Sequence, residues 1–521
     1  MYVREKKHRS GRTSVVIVDK ASGKYREVHT VGISSDVAEL EALVSEGKAW
    51  IERHRRETEL FLDLFGEERE AMRVETEEAN RVLSNISNVL LNGSELILGR
   101  VFDHIGFGRI DDPVFRSLVL SRLSFPSSKA ATVEYLKNYF DEDVSLSKIY
   151  RYLDKLSDGE HTKVEGMSVE HTRKVLGGSI GVIFYDVTTL YFEADREDEL
   201  RRTGFSKEGR HRNPQIILGL LVSLEGYPLA YCIHPGNEYE GHTMLPVVRE
   251  FVDKYNLEDF IVVADSGLMN EANVAQLEGL GYKYIIGERI RNKGERVTRI
   301  AMSCPRCDGA AVDVDMGGGR RLLVSYSEAR ARKDAYNREK GVRRLEKSYS
   351  TGRLTKDSVN KRGYNKFLEM GGKVSVSINY DKVSSDAEWD GLKGYLTNTD
   401  IPHGDVFMAY GNLWQVERAF RIAKSRIEIR PMFHFTRRRI EAHVCICFVA
   451  LKVYKELERL LRVAGIGLSV DKVLSLAKTV ATLQVRLPLN GTTMTRTMIM
   501  KRHKPIEKLF DEGFWAELDR E

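Results

Sequence analysis

The sequence predicts an α/β fold in which a mixed sheet of buried strands is covered by helices. Three observations predict it. Between residues 182 and 286 the expected elements run strand, strand, strand, helix, strand, helix, strand. Those strands are short and rich in β-branched and aromatic residues, as strands covered on both faces should be. A later stretch, 390–461, returns to the same pattern with one more strand and two helices, the last spaced as a packed core helix.

From the N-terminus, residues 13–32 (TSVVIVDKASGKYREVHTVG) read as a hairpin turning at Ala21-Ser22-Gly23. Residues 36–91 are charged and helical in tendency, with Leu40, Leu43, Ala49 and Ile51 as apolar positions and Asn92-Gly93 as the break. Arg53-His54-Arg55-Arg56 would suit phosphate, but the acidic residues beyond it favour a solvated helix face. VEYLKNYF (133–140) and LSKIYRYLDKL (146–156) are amphipathic segments joined by DEDVS. They read either as a helix-turn-helix with Lys148, Arg151 and Tyr152 toward DNA, or as an ordinary packing pair.

Val182–Phe192 is the first core strand. Pro214–Leu224 and Tyr227–Ile233 form a hairpin through Glu225-Gly226. Met244–Lys254 is a helix, Phe260–Ala264 a buried strand, Asn270–Leu280 a helix and Tyr282–Ile286 a strand. This is the element order of an RNase H-like fold. Such a fold sets Asp186, inside the first strand, beside Asp265, at the end of the fourth. A buried aspartate is costly unless paired, hydrogen-bonded or bound to metal. Satisfaction by a neighbouring hydroxyl such as Thr188 would explain one of them, and the matched pair points to metal.

Gly204–Asn213 is basic and bears glycine, so Lys207, Arg210 and Arg212 suit the DNA backbone. His234 and His242 match no common zinc spacing and read as structural. Residues 289–385 exceed what the core needs and read as an insertion. Its centre, Ser327–Thr351, is a helical run carrying Arg330, Arg332, Lys333, Arg338, Lys340, Arg343, Arg344 and Lys347, continued by Lys361, Arg362 and Lys366. That concentration of one sign favours nucleic acid over a merely solvated face. Cys304 and Cys307 are half a zinc pattern with no second half. Leu483–Met500 reads as a hairpin through Asn490-Gly491.

The chain is organised around Tyr410–Pro431, YGNLWQVERAFRIAKSRIEIRP. Asn412 and Gln415 offer a capping box. Val416, Ala419, Phe420, Ala423 and Ile427 form a buried stripe, and Pro431 ends the run. Tyr410, Leu413, Glu417, Arg421 and Lys424 fall on one line beside it, spaced as neighbours. By itself this is an ordinary amphipathic helix. Yet Tyr410, Glu417 and Lys424 resemble the tyrosine, glutamate and lysine of the signature helix in DDE-type insertion-sequence transposases of the insertion-sequence-four-like group. Arg430–His434 (RPMFH) and Arg439–Val444 (RIEAHV) share the likeness, which spans about Val182 to Leu451. The pattern wants an arginine where this chain has Leu413; Arg418 or Arg421 are the substitutes at hand.

The resemblance implies Asp186, Asp265 and Glu417 as catalytic residues and metal ligands. It implies two Mg2+ or Mn2+ ions, double-stranded DNA (terminal inverted repeats and target) as partner, and a homodimer in the DNA complex. Tyr410, Arg421 and Lys424 would hold phosphates near the cut, with Arg210, Arg212, Arg343, Arg344 and Lys347 as further DNA contacts. The expected activity is cut-and-paste transposition, with excision through a hairpin at the element end. A nuclease on the same fold that cuts without joining, and a DNA-binding relic, are the competing readings. The expected organisation is an N-terminal hairpin and mainly helical, DNA-end-binding region over 1–165, core over 166–288, insertion over 289–389, core again over 390–462, and a C-terminal region over 463–521.

Composition bounds these readings. The chain has 521 residues, 42% hydrophobic and 30% charged, with a net charge of +5, so the distribution of charge says more than its total. Five irregularly spaced cysteines exclude a disulfide framework. MYVREKKHRS lacks the apolar segment of a secretion signal, and no apolar run reaches the ~20 residues of a membrane helix. The expectation is a cytoplasmic protein without a membrane.

Overall fold

Only one residue of Val182–Tyr191 (β1), Asp186, carries a charge, and the strand is buried along most of its length. Its side chains alternate as the pleat requires. Ile183, Tyr185 and Val187 enter one apolar layer, while Phe184 and Leu190 enter the other. In this computed structural model Gln215–Ser223 (β2), Pro228–Pro235 (β3), Ile261–Ala264 (β4), Lys283–Glu288 (β5), Ala311–Gly317 (β6), Arg320–Tyr326 (β7) and Leu392–Thr397 (β8) complete an eight-stranded sheet. The structure describes all residues except 21–22, 65, 195, 207–208, 211, 292, 356–357, 361, 372–374, 488–490 and 519–521.

The strand order is β3-β2-β1-β4-β5-β8-β7-β6. β1 pairs antiparallel with β2 and parallel with β4, and β4 pairs parallel with β5. That arrangement of the first five strands is RNase H-like. Met244–Tyr255 (α1) and Glu271–Gly279 (α2) cover one face through Val248, Phe251 and Leu277. The other face carries Trp414–Ser425 (α5), which comes after Glu328–Ser350 (α3) and His403–Gly411 (α4), and Arg437–Val463 (α6). α6 is buried from Ala442 through Leu457, as a helix apolar on nearly all sides should be. None of the helices among the described residues is long and apolar enough to cross a membrane.

The segment read as an insertion opens with a short helix, Glu295–Met302, and then extends the sheet. β6 and β7 form a hairpin, and β7 pairs with β8 from Arg321↔Thr397 to Tyr326↔Leu392. Gly317, Gly318 and Gly319 turn it with φ of 77°, 64° and 79°, values that residues with a Cβ rarely adopt. A separate small core forms only beyond β7, from Val342, Leu345, Phe367, Leu368 and Val376.

The chain divides into two units, residues 1–89 with 483–496, and 90–482 with 497–521. The break near 89 precedes the boundary expected at 165, because the helices Gly93–Ile105 and Pro113–Ser124 share the core of α6. In the first unit Tyr2–Lys7, Thr13–Asp19 and Arg26–Ser34 pair in that order, one strand more than the expected hairpin. Helices Val37–Leu64 and Gly66–Ser84 come next, then a strand, Ile86–Leu90, inside the stretch read as helical. Ala21, Ser22, Lys207, Lys361 and Asn490 lie outside the described residues.

Lys129–Phe140 and Leu146–Lys155 form the expected helix pair, but Tyr152 does not face outward. It is buried, and its hydroxyl donates to Glu160; Lys148 and Arg151 are exposed.

α6 also carries buried charge. Glu456 is wholly enclosed and accepts from Arg459 and from the Tyr227 hydroxyl, with His104 and His171 each 3.6 Å from its Oε1. Lys452, equally enclosed, donates to the Ser168 carbonyl at 3.0 Å. Burial alone would push the Glu456 carboxyl up, but His171 and the Arg459 guanidinium outweigh it and hold it down at about 2, below its ordinary 4.5. Its stabilising contribution is therefore complete above the ordinary value and fades as pH falls toward 2. Glu456→Gln is expected to cost about 2–4 kcal/mol at pH 7, since it removes the charge that faces the half-buried Arg459 guanidinium and the enclosed Lys452. Denaturant melts should show the deficit shrinking between pH 4.5 and 2; a deficit below about 1 kcal/mol at pH 7 would contradict the network's role.

Candidate active site

Strand register assembles the first part of the site. Tyr185 of β1 lies opposite Ala264 of the parallel strand β4, and Ala264 opposite Ile286 of β5. The next rung carries Asp186, then Asp265 just past the end of β4, then Gly287, which pairs with Tyr395 of β8. Neighbouring strands stand about 4.8 Å apart, so the two aspartates are adjacent on one face. Asp186 is half-buried and Asp265 exposed. Glu417 arrives from α5, whose Val416, Ala419, Phe420 and Ala423 are buried in the layer under that face. All three carboxylates line one cavity of about 760 Å³.

The three acids do not close on one another. Among the described residues, the group of potential ligand atoms within 4.8 Å of one another is the set of half-buried His104 with buried His171 and Glu456. An open set of oxygen donors suits a hard divalent cation that keeps part of its water or takes oxygens from a substrate.

Tyr410 belongs to α4 and not, as its spacing suggested, to the helix of Glu417. Its hydroxyl donates to Asp265 Oδ1 at 3.0 Å. Burial and that carboxylate both push the phenol well above its ordinary pKa. The ring fits because the rung below it is glycine: a Cβ on Gly287 would stand 2.3 Å from the Tyr410 hydroxyl oxygen.

The expected capping box is also absent. Asn412 caps the end of α4 and donates from Nδ2 to the Met408 carbonyl, while α5 starts after Leu413 with no side-chain cap. Leu413 is buried and lines the cavity where a related pattern has arginine. Arg418 is no substitute, since both of its terminal nitrogens donate to Glu458. Arg421 (exposed) and Lys424 (half-buried) are on α5 but outside the cavity lining.

Two cations that sequence reasoning did not assign to the site do line the cavity: Lys393 of β8 and Arg330 of α3. The Lys393 ammonium lies 3.9 Å from the centre of the Tyr410 ring. Burial and Arg330 push it down to about 8, against the upward pull of Asp265 and Glu417. Arg330 was one among many cations of a basic helix, and nothing local marked Lys393; only the alternation of β8 puts it on the face of the acids.

The remaining candidates lie elsewhere. Arg210 stacks on Tyr191 at 4.1 Å and pairs with Glu193, and Arg212 is exposed. Arg343, Arg344 and Lys347 are exposed on α3, Arg343 bridging to Glu339. Cys304 is buried against backbone carbonyls while Cys307 is exposed. His234 contacts Cys232 and Glu238.

The family described as "Transposase DDE domain" matches residues 177–452. Among solved structures, a piggyBac transposase synaptic complex with hairpin DNA is similar at 10% identity, covering 84% of this chain and 79% of that one, with a TM-score of 0.37. A Mos1 transposase paired-end complex is similar at 12% identity over 30% of this chain and 53% of that one, with a TM-score of 0.16. Neither likeness is close enough to inform the site. None of the curated proteins compared matches the chain.

The seat of Tyr410 is open to a direct check. Gly287→Ala is expected to cost about 1–3 kcal/mol by overpacking, and far less in a Tyr410→Ala background. Denaturant titrations of the four proteins measure this; equal costs in both backgrounds would separate Gly287 from Tyr410.

Proposed function

The chain belongs to the transposase DDE domain family, and we propose that its carboxylate cavity cuts DNA at the ends of its own insertion sequence and joins the freed ends to target DNA. The observation that carries this reading is the convergence of Asp186, Asp265 and Glu417, from three distant segments, on one cavity. Those three residues would hold the divalent ions, Mg2+ or Mn2+, that members of the family generally use. Two such ions would lower the pKa of an attacking water or 3′-hydroxyl and offset charge on the leaving oxygen. A lone surviving carboxylate would suit an inert relic better than this complete set does.

The chain's own contribution is position and charge. The Tyr410 hydroxyl orients Asp265. Buried packing of α5 holds Glu417 at the cavity while the sheet holds the aspartates. Arg210, Arg212, Arg343, Arg344, Lys347, Arg421 and Lys424 contact DNA phosphates, which position a duplex without reading its sequence. The arrangement of Tyr410, Glu417 and Lys424 supports the insertion-sequence-four-like group, and Leu413 is its departure. Cut-and-paste movement of an element with two ends calls for a homodimer, with one centre for each end.

The test uses a plasmid carrying the DNA that brackets the gene. Asp186→Asn, Asp265→Asn and Glu417→Gln are each expected to lower Mg2+-dependent cleavage and joining by about 10³-fold or more, several kcal/mol of barrier, while duplex binding stays near native. Near-native cleavage by soluble Glu417→Gln protein would remove α5 from the site. Cleavage without joined product would leave a nuclease.

A second measurement addresses α3. Replacing Arg343, Arg344 and Lys347 with alanine should flatten the dependence of log K on log salt by about 0.9 for each phosphate no longer neutralised. An unchanged slope in a salt titration of duplex binding would assign those residues to solvent.

A further inference from the structure

Two cations of the cavity have no anionic partner among the described residues. Lys393 and Arg330 both line it, and neither makes a hydrogen bond or an ion pair there. Lys393 is half-buried, with its charge against the rings of Tyr410 and Tyr395 at 3.9 and 5.4 Å. Keeping an unpaired ammonium partly out of water is unfavourable, and the exposed Arg330 beside it adds repulsion. The carboxylates of the same cavity offer them partners, yet neither is drawn into contact.

None of the cations of the signature helix, Arg418, Arg421 and Lys424, lines the cavity to take their place. Leu413 carries no charge, Arg418 is held by Glu458, and Arg421 lies outside the cavity. If three carboxylates and their ions engage a phosphodiester, its remaining oxygens face whatever else lines the cavity. Around this cavity stand a point charge, on the sheet face of the acids, and a planar fork of donors, the two side-chain types suited to phosphate oxygens.

We infer that Lys393 and Arg330 form a phosphate grip that binds the non-bridging oxygens of the DNA phosphodiester engaged by Asp186, Asp265 and Glu417. The inference rests on the reading of this cavity as the cutting site. It gives the segment between β5 and β8 a direct part in the chemistry, because Arg330 stands in the first turn of α3.

The grip can be tested without cleavage. Pyridoxal 5′-phosphate carries an aldehyde that condenses with a lysine amine, losing water, and a phosphate that Arg330 would hold; borohydride reduction then fixes the adduct for peptide mapping. In the full-length protein, Lys393 should be labelled several-fold faster than an exposed lysine such as Lys472, equally so in Asp186→Asn. Arg330→Met, a change at an exposed position, should slow the labelling, and duplex DNA should protect. Labelling of Lys393 no faster than that of Lys472, or unaffected by Arg330→Met, overturns the grip.

A second readout is turnover. Lys393→Met should lower the cleavage rate by about 10²-fold with duplex affinity near native, comparable to losing a donor aimed at developing charge. Lys393→Arg should restore much of it, which a packing defect would not allow. Native cleavage by Lys393→Met also overturns the grip. Native cleavage by Asp186→Asn would instead remove the cutting-site reading, leaving the labelling to decide whether the pair binds phosphate.

Discussion

The parallel pairing of β1 with β4 is the constraint on which the rest depends. Its register puts two aspartates on adjacent strands and on the same face. Side by side, two carboxylates repel each other unless a cation or donor compensates. The fold meets that demand in steps. Asp265 falls one residue beyond its strand, where water reaches it, and Tyr410 donates to it. Asp186 cannot move outward in this way, because β2 continues beside it with Leu220 as its partner.

Holding a third carboxylate against this pair requires a rigid support. α5 carries Glu417 on its exposed side and buries the opposite stripe in the core shared with α6. α6 in turn is fixed by the N-terminal helices and by charges that no surface helix would carry. Glu456, Arg459, Tyr227 and Lys452 tie it to β2–β3 and to the helix His161–Val175. Charges without solvent tolerate few alternative packings, so the network fixes one seat for α6 and thereby for α5.

What was legible in the sequence was what local pattern encodes. β-branched and aromatic content and the Glu225-Gly226 turn located all five RNase H-like strands, and the two misplaced-looking aspartates stood out against apolar surroundings. The helical runs expected from Asn270 and from Ser327 begin where expected, each residue standing at the N-cap position. What failed depended on tertiary choice. Asn412 and Gln415 made an acceptable capping box, but α4 extends through Gly411 and turns Asn412 into its own cap. Tyr152 sat on an amphipathic helix whose buried side no periodicity could name. The cations of the cavity were invisible for the same reason: Lys393 and Arg330 are 63 positions apart, and nothing near either one indicates that they meet.

The pairing of β7 with β8 explains how they meet. Lys393 lies opposite Ser325, and Tyr326 opposite Leu392. The rung that presents Lys393 to the cavity is thus within two residues of the point where β7 gives way to α3. Arg330 comes one turn later, carried by a helix whose start the ladder fixes. A loop at this place would leave the guanidinium free over several ångströms, since an exposed arginine is held only by its backbone. By extending the sheet through β7 before the chain departs, the fold aligns a residue from each side of the insertion with the acids of β1 and β4. The ladder that determines the distance between the two aspartates therefore also determines the approach of the two cations.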